Sequence, residues 1–310
     1  MQAKKNKLLA ALLLMLLVLT TAAFLVKRTN SHDSTDKDLF RDFDLKTISR
    51  IILASPAGRV ELSFTGSRWK VNNEYAADPS MIEVLFATLQ QAEPKRPIGS
   101  SQQDSLSANL QNQGVKVSLF NGENIVKSFY AGGNTRKNQA YFMADDRSVP
   151  YVMTIPGYRV YVSGIFELDE GAWRDKHIFA FNWRNFHELD ASFAGAAGND
   201  FKVVMMDNLF TVAGLQTVDT TRLNDFLDNV SLLTADAFAQ STPQLDSLGK
   251  TKPLVSIVVK DVAKKEYKLD LYPKVGPTEN FPGLIDGTQW AYFHKNTIEG
   301  VIRPRSFFGK

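Results

Sequence analysis

The sequence predicts an α+β fold built from two tandem similar units, each an antiparallel sheet covered by a helix, after one N-terminal transmembrane helix. Three observations carry that expectation. The block Val60–Leu89 falls without a gap on Phe201–Val230 at a constant shift of 141 positions. Within each block, apolar residues alternate with polar ones and then change to a helical period, the mark of half-buried strands followed by an amphipathic helix. An uncharged, largely apolar run, Leu8–Val26, opens the chain.

That run is 19 residues long, enough to cross a hydrocarbon layer of roughly 30 Å as a helix. Lys4, Lys5 and Lys7 precede it, and Lys27 and Arg28 close it. A cleaved signal peptide competes, with Thr20-Thr21-Ala22 as the small-residue site. Its usual apolar region is shorter, about 7–15 residues, and bulky Phe24-Leu25-Val26 follows the candidate site. The reading adopted is an uncleaved signal anchor over 1–28. The basic residues ahead of the run place the large body outside the cytoplasm, so the expected location is a bacterial inner membrane, single-pass, with the C-terminal body in the periplasm.

The net charge of +3 is local in origin. Residues 1–28 hold five basic and no acidic residues, leaving 31 basic against 33 acidic in the remainder. A nearly neutral body lacks the basic footprint that nucleic acid requires. The chain contains no cysteine, which excludes a lipoprotein anchor.

Thr29–Asp38 is polar without hydrophobic period and reads as a solvated stalk, with the stalk bounded at 29–44. His32, Asp33, Asp36 and Asp38 match no calcium-loop spacing. The first unit, 45–155, opens with Ile51-Ile52-Leu53 as a strand and a Pro56-Ala57-Gly58 turn. Val60, Leu62 and Phe64 alternate, and Trp69 and Val71 resume after Thr65-Gly66-Ser67. Asp78-Pro79 starts a helix as cap and first-turn proline; Met81, Ile82, Leu85, Phe86 and Leu89 form its apolar stripe. A polar connection, Gly99–Gly114, leads to Val115, Val117 and Leu119, with a hairpin turn at Asn121-Gly122. Tyr141-Phe142-Met143 and Tyr151-Val152-Met153 supply further strands.

The second unit, 189–310, repeats the order. Asp219 caps a helix carrying Leu223, Phe226, Leu227, Val230 and Leu233. Val255, Ile257 and Val259 match Val115, Val117 and Leu119, and Gln289–Phe293 echoes the Tyr141-Phe142 strand. Between the units, a linker over 156–188 holds an expected helix, Tyr158–Leu168, and the string Trp173-Arg174-Asp175-Lys176.

Strand, glycine turn, Trp69-x-Val71, the Asp78-Pro79 helix and the later Trp173-Arg174-Asp175-Lys176 resemble domain-of-unknown-function family 4340. The resemblance covers roughly residues 45 to 235. It implies a membrane-anchored exterior protein associated with gliding-type ABC transport systems of Bacteroidetes-like bacteria. It brings no catalytic residues to carry over.

A search for chemistry gives rejections. Gly249-Lys250-Thr251 ends like a phosphate-binding loop, but Gln244 stands where the first glycine is required. No nucleophile elbow, His-Glu-x-x-His or dinucleotide fingerprint occurs. His177, His187 and Asp190 as a metal site is a weaker reading than surface or satisfied core placement, and Asp169, Glu170 and Asp175 as paired carboxylates is weaker than a charged loop capping a helix end. No catalytic residue, metal or cofactor is expected.

The candidate partner or ligand surface is Trp173, Arg174, Asp175, Trp183 and Phe186. Arginine beside tryptophan suits stacking or a bidentate contact with an anion; the alternative is an Arg–Asp pair pinning the linker. Phe179, Phe181 and Trp183 also alternate as a strand would. The tail Arg303-Pro304-Arg305-Ser306-Phe307-Phe308 leaves docking on the body or on a partner open. The expected function is a non-enzymatic periplasmic subunit or scaffold of an envelope complex, binding integral membrane and periplasmic proteins but no nucleic acid. An envelope glycan- or lipid-binding module is the alternative, and an enzyme of unrecognised type stands third.

Overall fold

The computed structural model describes residues 13–22, 35–146, 149–179, 181, 184–207, 209–275 and 279–310. Two compact units emerge. One comprises the chain up to Asn73 with Ser80–Leu168, the other Glu74–Pro79 with Asp169–Lys310.

The first unit contains β1 (Arg50–Ser55), β2 (Gly58–Phe64) and β3 (Trp69–Val71). The two-residue β4 (Tyr75–Ala76) belongs to the second unit. Then come α1 (Pro79–Gln91), β5 (Glu93–Pro97), α2 (Ser100–Gln113), β6 (Val115–Asn121), β7 (Asn124–Gly133), β8 (Ala140–Ala144) and β9 (Tyr151–Thr154). Among the strands of this unit alone, leaving out β4, the order is β3-β2-β1-β6-β7-β8-β9-β5. Ile51, Leu53, Leu62, Val117 and Leu119 are buried, as are Ile82, Leu85 and Leu89 of α1. The β6–β7 turn has Gly122 at φ +57°, the left-handed conformation that glycine adopts without a Cβ penalty.

The second unit begins with α3 (Glu170–Trp173) and continues through β10 (Phe186–Phe193), β11 (Phe201–Met206), β12 (Leu209–Val212), α4 (Thr220–Ser231), β13 (Ala237–Ala239) and α5 (Pro243–Gly249). β14 (Val255–Asp261), β15 (Glu266–Leu271), β16 (Asn280–Ile285), β17 (Gln289–His294) and α6 (Lys295–Ile298) complete it. Its order, β12-β11-β10-β14-β15-β16-β17-β13, repeats the first strand for strand. The pairings of β1 with β2 and β6 are Ile51↔Leu62 and Ile51↔Leu119. Those of β10 are Leu189↔Val203 and Leu189↔Val259. Leu62 and Val203 are partners in the 141-residue shift, so the duplication holds at the level of backbone register.

Asp219 caps α4 by accepting from the Thr221 and Arg222 N–H groups. Leu223, Phe226, Leu227 and Val230 share a core with Leu189, Val203, Ile257, Val259, Leu269 and Phe293. The opposite sheet face is charged: Glu188 Oε2 lies 2.8 Å from Lys202 Nζ and its Oε1 3.2 Å from Lys260 Nζ. Such cross-strand pairs favour this register over a one-residue slip, which would bury them. Hydrogen bonds from Lys202 and then Lys260 hold the Glu188 carboxyl below its ordinary value.

Several sequence expectations need correction. The polar Gly99–Gly114 connection is helix α2; it buries only Leu110, so no apolar stripe announces it. The expected Tyr158–Leu168 helix reduces to a 3-10 turn, Val162–Glu167. Tyr158 and Val160 stand exposed ahead of it. Phe179 and Phe181 are buried in irregular chain rather than a strand. The second sheet starts at Phe186, inside the stretch read as linker. By sheet order, Gln289–His294 corresponds to β9, and the counterpart of the Tyr141-Phe142 strand β8 is β16.

Residues 13–22 are helical, and no helix among the described residues is long and apolar enough to cross a membrane. The remainder of the Leu8–Val26 run lies outside the described residues.

Leu85 is fully buried on α1. Leu85→Ala is expected to lower the unfolding free energy by about 2–5 kcal/mol through lost transfer energy and a residual cavity, as measured by urea denaturation.

Candidate functional site

The Trp173-Arg174-Asp175 string leaves α3, whose cap Asp169 accepts from the Ala172 N–H at 2.9 Å. The chain then runs antiparallel to Glu74–Pro79: the Asp78 N–H donates to Trp173 O at 2.9 Å and the Asp175 N–H to Ala76 O at 2.8 Å. On its other side, the Ile178 N–H donates to Leu233 O and the Ala235 N–H to Lys176 O. Both flanks fix the backbone, so the Arg174 side chain emerges from a rigid base.

Its guanidinium carbon lies 3.5 Å from the Tyr75 ring centroid and 3.8 Å from that of Phe238. The cation is therefore sandwiched between two aromatic faces, an arrangement suited to a planar guanidinium and not to an ammonium. Nη2 donates to Gln289 Oε1 at 3.1 Å. Gln289 is itself oriented, its Nε2 donating to Ala239 O at 3.0 Å and Trp290 O at 2.8 Å. Glu170 Oε1 stands 3.8 Å from Nη1, and the buried Nε has no acceptor among the described residues. Burial pushes the guanidinium below its ordinary value, with Tyr75 and Glu170 opposing the shift. Arg174, Tyr75, Asp169, Glu170, Ser241 and Gln289 line an open cleft of about 560 Å³. A cationic base under a rim of two carboxylates suits a small polar group bearing both charges.

The other expected residues separate from this cluster. Asp175 turns to His177, its Oδ1 2.7 Å from Nδ1, and does not pair with Arg174. Trp173 is fully buried and Phe186 is 3% exposed. Phe186 packs against Phe181 and Phe210 at centroid distances of 5.5 and 5.4 Å. Both are core residues and not surface: aromatic spacing marks a strand or helix but not which face is covered. Trp183 lies outside the described residues. Tail residue Phe308 is buried against Phe201 and Phe226, and Arg305 Nη2 donates to Gly214 O at 2.8 Å. The tail thus docks on its own unit.

Two further features lie in the first unit, and periodicity does not reveal them. A polar groove of about 1020 Å³ runs along α2, lined by Ser101, Gln102, Ser105 and Asn109 facing Asn134 and Tyr141. At one end Tyr161 donates to Glu167, which also pairs with Lys137. Gly133 makes room for this cluster, because a Cβ there would meet the Tyr161 ring at 2.3 Å. Burial first, and the bond to Glu167 second, push the Tyr161 hydroxyl well above its ordinary value. The other feature is an apolar groove of about 520 Å³, where Val84 and Ala87 of α1 meet Ile155, Tyr158, Val160 and Leu168.

A family model described as a domain of unknown function, DUF4340, matches residues 69–253. The chain belongs to the DUF4340 family. The match starts at the first residue of β3 and ends just before β14, so the DUF4340 region draws on both units and includes Arg174, Tyr75 and Phe238 but not Gln289 of the same cleft. No curated protein and no solved structure matches the chain.

Arg174→Lys is expected to destabilise this DUF4340 protein by about 1–3 kcal/mol, since the stack and the oriented hydrogen bond are lost together; urea denaturation monitored by fluorescence measures it. Tyr161 gives a pH signature of defined sign. Its folded-state pKa is raised, so its contribution is complete below about pH 10, the ordinary tyrosine value, and fades as pH rises further. The stability advantage of the wild type over Tyr161→Phe should therefore be full at neutral pH and shrink in alkaline denaturation series.

Proposed function

We propose that this protein is a non-enzymatic, membrane-anchored subunit or scaffold of a cell-envelope complex, with its duplicated body in the periplasm and its Leu8–Val26 run in the inner membrane. The machine it serves is of the ABC-type export or gliding-associated kind that the family resemblance implies. The observation that supports a partner-binding role is the apolar groove of the first unit. Val84, Tyr158 and Val160 there are 49%, 65% and 54% exposed, side by side along one lining. Grouped apolar exposure of this kind is what a protein partner covers.

The polar groove along α2 favours a second reading, an envelope glycan-binding module. Hydroxyl and amide side chains with tyrosine rings provide the hydrogen bonds and stacking faces a saccharide uses.

Pull-down of the full-length chain in mild detergent, followed by mass spectrometry, tests the first reading. Stoichiometric recovery of integral membrane proteins is expected, with loss of those proteins in a Val84→Glu, Val160→Glu variant that keeps its circular dichroism. Recovery of the isolated wild-type chain would overturn it.

A further inference from the structure

The Arg174 guanidinium is under-bonded for its depth. The residue is 8% exposed. Of the five N–H groups a guanidinium carries, only one on Nη2 makes a hydrogen bond among the described residues, to Gln289 Oε1. Nε is sealed from solvent without an acceptor. Nη1 also lacks one, and unlike Nε it keeps surface open to the cleft. Every residue of that cleft belongs to the second unit.

A buried donor left unsatisfied is costly, so this cation calls for an acceptor oxygen supplied from the cleft. The Tyr75 and Phe238 rings cover both faces of the guanidinium. An incoming oxygen therefore reaches only its edge, at Nη1.

The neighbouring carboxylates decide what kind of molecule brings that oxygen. Glu170 Oε1 stands 3.8 Å from Nη1. Asp169, which spends Oδ1 on the Ala172 N–H, lines the cleft with it. Of the other acids nearby, Glu74 faces the Tyr75 hydroxyl and Asp246 accepts from the Ser241 hydroxyl. One cation thus faces two carboxylates in the cleft, and a lone anion meets net repulsion there. A ligand with a negative oxygen beside a positive nitrogen does not.

In an α-amino acid those two atoms lie about 2.7 Å apart when eclipsed, by ordinary bond lengths and angles. Laid along the 3.8 Å gap between Nη1 and Glu170 Oε1, they put each charge against its opposite, in charge-assisted hydrogen bonds. Gln240 and Thr288 add an amide and a hydroxyl to the lining, and their side chains make no hydrogen bond among the described residues. Such a lining suits a small polar side chain.

We propose that this cleft binds a free α-amino acid, its carboxylate on Arg174 Nη1 and its ammonium on Glu170 and Asp169. The site stands apart from the envelope-complex reading, which rests on the apolar groove of the first unit.

Equilibrium dialysis of the full-length chain in mild detergent against radiolabelled L-serine tests the site. The wild type should retain one serine per chain, and unlabelled glycine should displace it. Glycinamide lacks the carboxylate and acetate lacks the ammonium, so each should compete about tenfold less well or worse. Asp169→Asn with Glu170→Gln keeps side-chain size and the cap, since asparagine caps as well as aspartate. That variant should bind serine about tenfold more weakly or worse, with its circular dichroism unchanged. Failure of the wild type to retain serine would overturn the proposal. So would displacement by glycinamide or acetate as effective as that by glycine, or full affinity in the double variant.

Discussion

Each unit depends on one pairing that chain neighbours cannot make: β1 with β6, and β10 with β14. Forming it closes a loop containing a two-stranded hairpin, a helix, a further short strand and another helix, with β4 in addition between β1 and β6, before any return in burial. The return is concentrated at the same place. Ile51, Val117 and Leu119 in one unit, and Leu189, Ile257 and Val259 in the other, have no exposed surface. Once this central pair stands, the β2–β3 and β11–β12 hairpins extend the sheet on one side. The meander through β9 or β17, closed by β5 or β13, extends it on the other.

Within that frame the second unit accommodates a buried cation. An isolated charge away from water is costly unless it is paired or hydrogen-bonded. Here two aromatic faces and one pre-oriented amide share the task, and Glu170 stands just beyond hydrogen-bonding reach. Tyr75 comes from the segment before α1, Phe238 from β13 and Gln289 from β17. The sandwich therefore exists only when β13 pairs with β17, which places Phe238 opposite Ala291.

The two units share topology but not surface. In the first, α2 runs from Ser100 to Gln113 and lines a broad polar groove; its counterpart α5 runs only from Pro243 to Gly249. Leu245 of α5 instead joins a small core with Tyr272 and Trp290. Duplication preserves the buried register, where a one-residue slip would exchange the two faces, and leaves connecting helices and turns open to divergence. The longer α2 of the first unit lines the polar groove.

The α+β class, the duplication, the α1 and α4 stripes and the β6–β14 correspondence are legible in the order of residues. Each of these is written in local periodicity, and burial of one face enforces that periodicity directly. Membership of the DUF4340 family was legible in the same local pattern around Trp69, Val71 and Asp78-Pro79. Of the expected site residues, Arg174 lines a cleft, whereas Trp173 and Phe186 proved to be core. That difference comes from packing, because aromatic and charged spacing in irregular chain does not state which neighbours arrive from elsewhere. The tertiary structure alone brought Tyr75, Phe238 and Gln289 onto one guanidinium. Those contacts are consequences of sheet order, and sheet order follows from how the whole apolar set packs at once.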